Sequence, residues 1–451
     1  MTNLLSIVLA AGEGTRMRSA TPKVLHPVGG LPMVSHVIRA AQSAGAGRLA
    51  VVVGPGHDAI REQVQGLAAD ALIVEQAERL GTGHAVLQAR EAFDSAEGNV
   101  IVLYADTPMV RPETLAAMAA KLDAGADMVV LGFEPADPTG YGRLLTDGPR
   151  LRAIREHRDA TEAERAVRLC NSGIIGFRAD TLRSVIDRIG NDNAKGEYYL
   201  TDAVELANAD NRKVEFSVVP ESEVIGLDDR SKLARAEALF QETQRDTFMK
   251  AGVTLKDPAS VYFSWDTQIG QDVTIFPNVV FGPGVKIADG VEIRAFCDIE
   301  DATIGQGASI GPFARIRGGA ELGPDVHLGN FVEVKKSRIG AGTKAGHLSY
   351  LGDAEIGSKV NIGAGTITSN YDGVNKSRTV IGDDAFIGSH NSLVAPVTIG
   401  KGAYTASGST ISRDVEPDAL AIGRARQENK AGYAPKLKAR ALAIKAAKAK
   451  K

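Results

Sequence analysis

Cysteine is nearly absent from this chain: Cys170 and Cys297 are the only two in 451 residues. A disulfide framework is therefore excluded and a reducing compartment fits; both thiols read as small buried hydrophobes. Long apolar runs are also missing. The stretch Leu4 to Ala11 is interrupted by Ser6 and followed by Gly12, too short for a signal peptide or a membrane span. A cytoplasmic protein with no membrane insertion is expected. A net charge of −3 gives no global attraction to nucleic acid. Only Lys436 to Lys451 are one-sided, with seven cations and no acid, which reads as a solvated tail.

What is present is ordinary globular material in two styles. Hydrophobic residues make up 44% and charged residues 24%, which excludes a fibrous or disordered chain, and the length exceeds what one core supports. Up to residue 228, apolar runs (LLSIVLA, LAVVVG, NVIVLY, ADMVVLGF) alternate with amphipathic stretches such as Met33 to Ala44. That alternation predicts βαβ units around a mostly parallel sheet. From residue 229 to 250 Gly and Pro vanish, Asp228 or Asp229 can cap, and Leu233, Ala236 and Phe240 recur at helical spacing, predicting a linker helix.

From Ile269 an aliphatic residue followed by a small one returns every six positions, as in IGQDVT, FGPGVK, IGQGAS, LGPDVH, IGAGTK and IGKGAY. A period of six suits a solenoid with three flat sides, one aliphatic per side pointing inward and about eighteen residues per coil. Such hexapeptide solenoids resemble the left-handed parallel β-helix, an exception to the right-handed crossover rule. The repeat breaks at Thr368 to Val380, where a projecting loop is expected. The predicted organisation is thus an α/β Rossmann-like domain over 1–228, a linker helix over 229–250, a β-helix over 251–433 and a disordered basic tail over 434–451.

The run LAAGEGTRM, residues 9–17, puts a Gly-rich turn after the first apolar strand, with Pro22-Lys23 following. Backbone N–H groups and cations then converge where phosphates would sit. Met17 stands where a dinucleotide fingerprint wants its third glycine, and no Walker A lysine motif exists. Asp106 ends the run VIVLY, at the carboxyl end of a strand, where open α/β sheets bind ligands. A carboxylate there suits Mg²⁺, with an Asx turn at Asp106-Thr107-Pro108 as the bland alternative.

LAAGEGTRM with PKVLHPVGG resembles the sugar nucleotidyltransferases, and QAERLGTGHA, LYAD, GYGR, IREHRDA, CNSG and GEYYLTD follow in the family's order. Together with the hexapeptide half, nearly the whole chain resembles the bifunctional N-acetylglucosamine-1-phosphate uridylyltransferase and glucosamine-1-phosphate N-acetyltransferase family. The resemblance implies substrate contacts from Leu9 and Gly12, with Gln76, Gly81 and Thr82 on uracil and Gly142, Glu156 and Asn171 on the sugar. Asp106 and Asp228 would hold Mg²⁺. A sugar phosphate and a nucleoside triphosphate bring about six negative charges together, and Arg16 and Lys23 would hold the departing pyrophosphate. Ala105 stands where the family usually has Gly, and Asp228 where it usually has Asn.

In the hexapeptide half Ile316 is followed by Arg317 and Val334 by Lys335. One coil apart, the two cations would stand at neighbouring rungs about 4.8 Å apart and call for a dianion. The resemblance makes them grips for the phosphate of glucosamine-1-phosphate, joined by Lys376 from the projecting loop. His347, otherwise readable as a structural histidine, becomes the general base, oriented by Glu333. It further implies the Ala364 N–H as oxyanion donor, Tyr350 and Asn361 on the sugar, Asn370 on the acyl group, and Tyr371, Ser389, Ser407 and Arg424 on acetyl-CoA. Ser407 departs from the commoner Ala.

Three rivals remain. A zinc anhydrase on the same scaffold needs three ligating histidines, which His327, His347 and His390 do not supply in close pairing. A transferase for another sugar phosphate would use the β-helix only for regulation, which the cation pair with His347 disfavours, and an inert oligomerisation module would be bound by partners through the basic tail. Acetyl transfer to glucosamine-1-phosphate, then uridylyl transfer from UTP, is the expected activity of a homotrimer.

Overall fold

The computed structural model describes residues 4–449. It divides into two compact units, Met1–Lys250 with Tyr262–Thr267, and Ala251–Val261 with Gln268–Lys451.

The first unit is built on strand Leu4–Ala10, buried at every position. It pairs in parallel with Ala46–Val53 on one side and Asn99–Tyr104 on the other. Leu72–Glu75 closes the sheet beyond Ala46–Val53, while Cys170–Arg178, Met128–Phe133 and Val214–Val218 extend it beyond Asn99–Tyr104. Cys170–Arg178 runs antiparallel to both neighbours, so the sheet is mixed. Alternation along the central strand feeds two cores: Ile7 and Leu9 point into one, Val8 and Ala10 into the other. Helices such as Met33–Ser43 and Pro112–Asp123 cover the faces.

Helix Arg230–Lys250 buries Ala236 and Phe240 against Met17, Val28, Met33 and Leu227, with Leu233 packed beside them. The predicted stripe thus holds the helix on the first unit. Gly29, at φ +55, is where Phe240 lands: a Cβ there would sit 2.3 Å from the ring.

The second unit is a parallel β-helix of three sheets with ten, nine and eight short strands. Ile293, Ile310 and Leu328 on the first face, Ile299, Ile316 and Val334 on the second, and Ile304, Leu322 and Ile339 on the third are all buried. The period of six is therefore one inward aliphatic per side. The eighteen-residue coil needs correction: Asn330 meets His347 after seventeen residues, because corners close with one residue fewer in several coils. The break is also narrower than expected. Strands Ile367–Ser369 and Thr379–Ile381 reach into it from both ends, and the coil that carries the loop spans 25 residues.

The tail does not stay disordered as expected. Tyr433–Lys448 is a helix with no buried residue, which its Ala, Leu and Lys content favours; Lys450 and Lys451 lie outside the described residues.

Candidate functional sites

In the first unit, a cavity of about 480 Å³ opens at the carboxyl ends of the parallel strands, lined by Leu9, Gly12, Arg16, Lys23, Gln76, Gly81, Thr82 and Asp106 among others. The chain turns tightly here because Gly14 takes φ +62, and a Cβ on it would strike Lys23 at 2.3 Å. Lys23 Nζ donates to Asp106 Oδ2 at 2.5 Å and lies 3.7 Å from Asp228 Oδ1. Leu227 N–H donates to the Asp106 carbonyl at 2.9 Å, which brings Asp228 alongside. Both carboxylates thus converge on one positive point, the arrangement a divalent cation needs when substrate phosphates complete its shell. Among the described residues no cluster of three or more His, Cys, Asp or Glu could hold a metal alone.

Asp228 also meets Arg16 at 3.3 Å and Lys232 at 3.0 Å. Burial works to raise its pKa, but Lys232, Lys23 and Arg16 together hold it below the ordinary value. Ala105, the other departure, is fully buried, and its N–H donates to the Leu9 carbonyl at 3.0 Å. Its methyl joins the core rather than the pocket.

The base and sugar residues form two groups. Gln76 Nε2 donates to the Gly81 carbonyl at 3.1 Å, and Thr82 Oγ1 accepts from Leu200 N–H at 3.0 Å. Asn171 N–H donates to the Gly142 carbonyl at 2.8 Å. A Cβ on Gly142 would lie 3.2 Å from Glu156 Oε1, so glycine is what lets that carboxylate approach. Burial raises the Glu156 pKa.

In the second unit, Arg317 and Lys335 are register partners on the second face, as the spacing predicted. Arg317 donates to Glu333 Oε1 from Nε at 2.9 Å and from Nη2 at 2.8 Å. Glu333 is therefore engaged by Arg317, whereas the expectation set it on His347. The group on His347 is Asn330, whose Oδ1 lies 2.7 Å from the ring Nδ1. Asn330 escaped sequence reasoning, although counting one short coil back from His347 reaches it. Tyr350 follows Glu333 in the ladder, its phenol lying over Gly352, where a Cβ would be 2.4 Å from the hydroxyl.

One edge of the prism collects the acyl-transfer residues. By the register of the first face, Asn330, His347, Ala364, Ser389 and Ser407 occupy the same corner in successive coils. The Ala364 carbonyl accepts from His390 N–H at 2.7 Å, whereas its own N–H meets no acceptor among the described residues. Arg424 Cδ comes 4.0 Å from where a Cβ on Gly408 would be, beside Ser407.

Other expected partners are not gathered by one chain. Asn361 lies on the first face, away from Arg317, Lys335 and Tyr350 on the second. The loop with Tyr371 and Lys376, which bridge each other, leaves from the opposite edge of the second face. Asn370 is tied there, its Nδ2 donating to Asp353 Oδ2 at 2.5 Å.

Residues 6–171 match the model of the MobA-like NTP transferase domain, and residues 266–297, 301–336 and 378–413 match the bacterial transferase hexapeptide repeats. The second unit is accordingly a left-handed parallel β-helix. Proteins called bifunctional protein GlmU are similar along almost their full length. That of Azorhizobium caulinodans is 54% identical, covering 97% of this chain and 98% of its own. The Jannaschia protein is 52% identical over 99% and 98%, and that of Paramagnetospirillum magneticum 51% over 99% of each. The chain therefore belongs to the bifunctional GlmU family, a uridylyltransferase domain followed by a hexapeptide acetyltransferase domain in UDP-N-acetylglucosamine synthesis.

Proposed function

We propose that acetylation comes first, on the prism edge, and that His347 is its general base. With Nδ1–H held by Asn330 Oδ1, His347 presents Nε2 as the atom that takes a proton from the amine of glucosamine-1-phosphate. The amine attacks the acetyl-CoA carbonyl, the Ala364 N–H receives the oxyanion, and the thiolate leaves. Ser389, Ser407 and Arg424 lie farther along the same edge, at about 4.8 Å per coil, where the coenzyme's extended arm would run. Arg317 and Lys335 hold the sugar's phosphate, with Lys376 from the loop, and Asn370 from the same loop meets the acyl group. Because Asn361 and the loop leave from different sides of one prism, the complete site forms between copies, in a homotrimer.

In the first unit, Gln76, Gly81 and Thr82 read uracil, while Gly142, Glu156 and Asn171 hold N-acetylglucosamine-1-phosphate. Asp106 and Asp228 would hold Mg²⁺, which would supply positive charge between the two phosphate groups. Lys23 and Arg16, released from those carboxylates, hold the pyrophosphate as it departs. Free Cys170 and Cys297 support a reducing, cytoplasmic compartment for the enzyme.

The observation that carries the proposal is the shared edge of His347, Ala364, Ser389 and Ser407. The test supplies glucosamine-1-phosphate, acetyl-CoA, UTP and Mg²⁺, omits each in turn, and identifies products by mass. Without UTP, N-acetylglucosamine-1-phosphate should accumulate; UDP-glucosamine formed when acetyl-CoA is the omitted reagent would reverse the order.

A further inference from the structure

Each cation lining the nucleotide cavity rests on a carboxylate. Arg16 is on Asp228 at 3.3 Å, Lys23 on Asp106 at 2.5 Å, and Lys195 on Glu197 at 3.8 Å. The fourth is Arg79, whose Nη1 is ion-paired with Glu13 and whose Nε donates to the Ala11 carbonyl at 3.0 Å. Neither Arg79 nor Glu13 has a role in the scheme above. Glu13 puts a negative charge into the glycine-rich loop that must receive a polyanion, which by itself opposes binding. Arg79 sits between Gln76 and Gly81 in the sequence, so one side chain links the segment that reads the base to the loop that receives the phosphates.

We infer that Arg79 is a further triphosphate-binding residue, held in reserve by Glu13 until the nucleotide arrives. This rests on assigning the cavity to UTP. The exchange is cheap: the two side chains are 38% and 57% exposed, and exposed ion pairs contribute little. A phosphate offers the guanidinium a bidentate partner with more charge than a carboxylate, while Glu13 turns outward to water. The Nε bond to Ala11 keeps Arg79 against the loop during the exchange.

An exchanging pair and a fixed bridge predict opposite signs for the same substitution. Binding of UTP by calorimetry and its KM in uridylyl transfer would be measured for Arg79→Gln, Glu13→Gln and the double variant of the full chain. Exchange predicts that Arg79→Gln weakens UTP about tenfold, the value of one charged hydrogen bond, with kcat little changed. Glu13→Gln should instead tighten UTP two- to threefold, about the loss of one weak competing ion pair, and the double variant should resemble Arg79→Gln. A bridge that merely braces the loop predicts weakening in both single variants and no further loss in the double, which would overturn the inference, as would no change in either. Lys23→Ala is the control for the site itself: if it leaves UTP affinity untouched, the assignment of the cavity fails and the inference with it. Thermal unfolding of the same preparations, followed by circular dichroism, reports intact folding of the first unit.

Discussion

The two units grip the same kind of molecule, an anionic sugar, with opposite architectures. In the first, loops at the carboxyl end of one sheet enclose a cavity in a single chain, and cations and carboxylates already neutralise each other there. In the second, the residues stand on the outside of a prism, spaced by the coil and spread over two faces and a loop. A cavity can be preorganised by one chain; a convex surface cannot surround a ligand without a neighbour. The first site should therefore survive dilution to monomer, and the second should not.

The largest expected break in that contrast is His347→Ala, which should lower acetyl transfer by 10² to 10⁴ and leave uridylyl transfer unchanged in a two-assay comparison. Lys335→Ala should raise KM for glucosamine-1-phosphate about tenfold or more, since it removes a charged contact to phosphate, with a smaller effect on kcat. Asn330→Ala should lower acetyl kcat about tenfold through loss of the bond that fixes the histidine. Glu333→Gln should act on sugar-phosphate KM, because its carboxylate faces Arg317. A kcat effect from Glu333→Gln equal to that of Asn330→Ala would restore Glu333 as the orienting group.

A subtler effect sharpens the picture of the enclosed site. Burial raises the Glu156 pKa in the folded state, so its charged form is destabilising there. The penalty is absent below the unfolded carboxylate pKa and complete above the folded one. Glu156→Gln should raise Tm slightly at neutral pH and not at low pH, while weakening N-acetylglucosamine-1-phosphate. The smallest effect concerns Cys297, whose thiol is pushed up to about 11 by burial. It should resist alkylation at pH 8 until the prism unfolds, as followed by mass spectrometry.

The sequence was most legible where distance along the chain becomes position in space. A repeat does this directly, which is why Arg317 and Lys335 could be paired from spacing alone and are register partners. Alternation and helical spacing did the same for Leu4–Ala10 and the Ala236, Phe240 stripe. Side-chain partnerships were less legible because they depend on local closure. One residue fewer at a corner sets Asn330 beside His347, while Arg317 takes Glu333. The Lys23 bridge between Asp106 and Asp228 joins segments distant in sequence, which no period encodes. The tail's helix was missed because its charge suggested solvation more loudly than its alanines suggested a helix.

The separation of the two grips is tested most directly by assaying both half-reactions, from one preparation each, for His347→Ala and Lys23→Ala. Each variant should lose one step and keep the other at wild-type rate, and a mixture of the two should again convert glucosamine-1-phosphate to UDP-N-acetylglucosamine. Loss of both steps in either variant, or a mixture that stays inactive, would contradict two chemically independent sites in one chain.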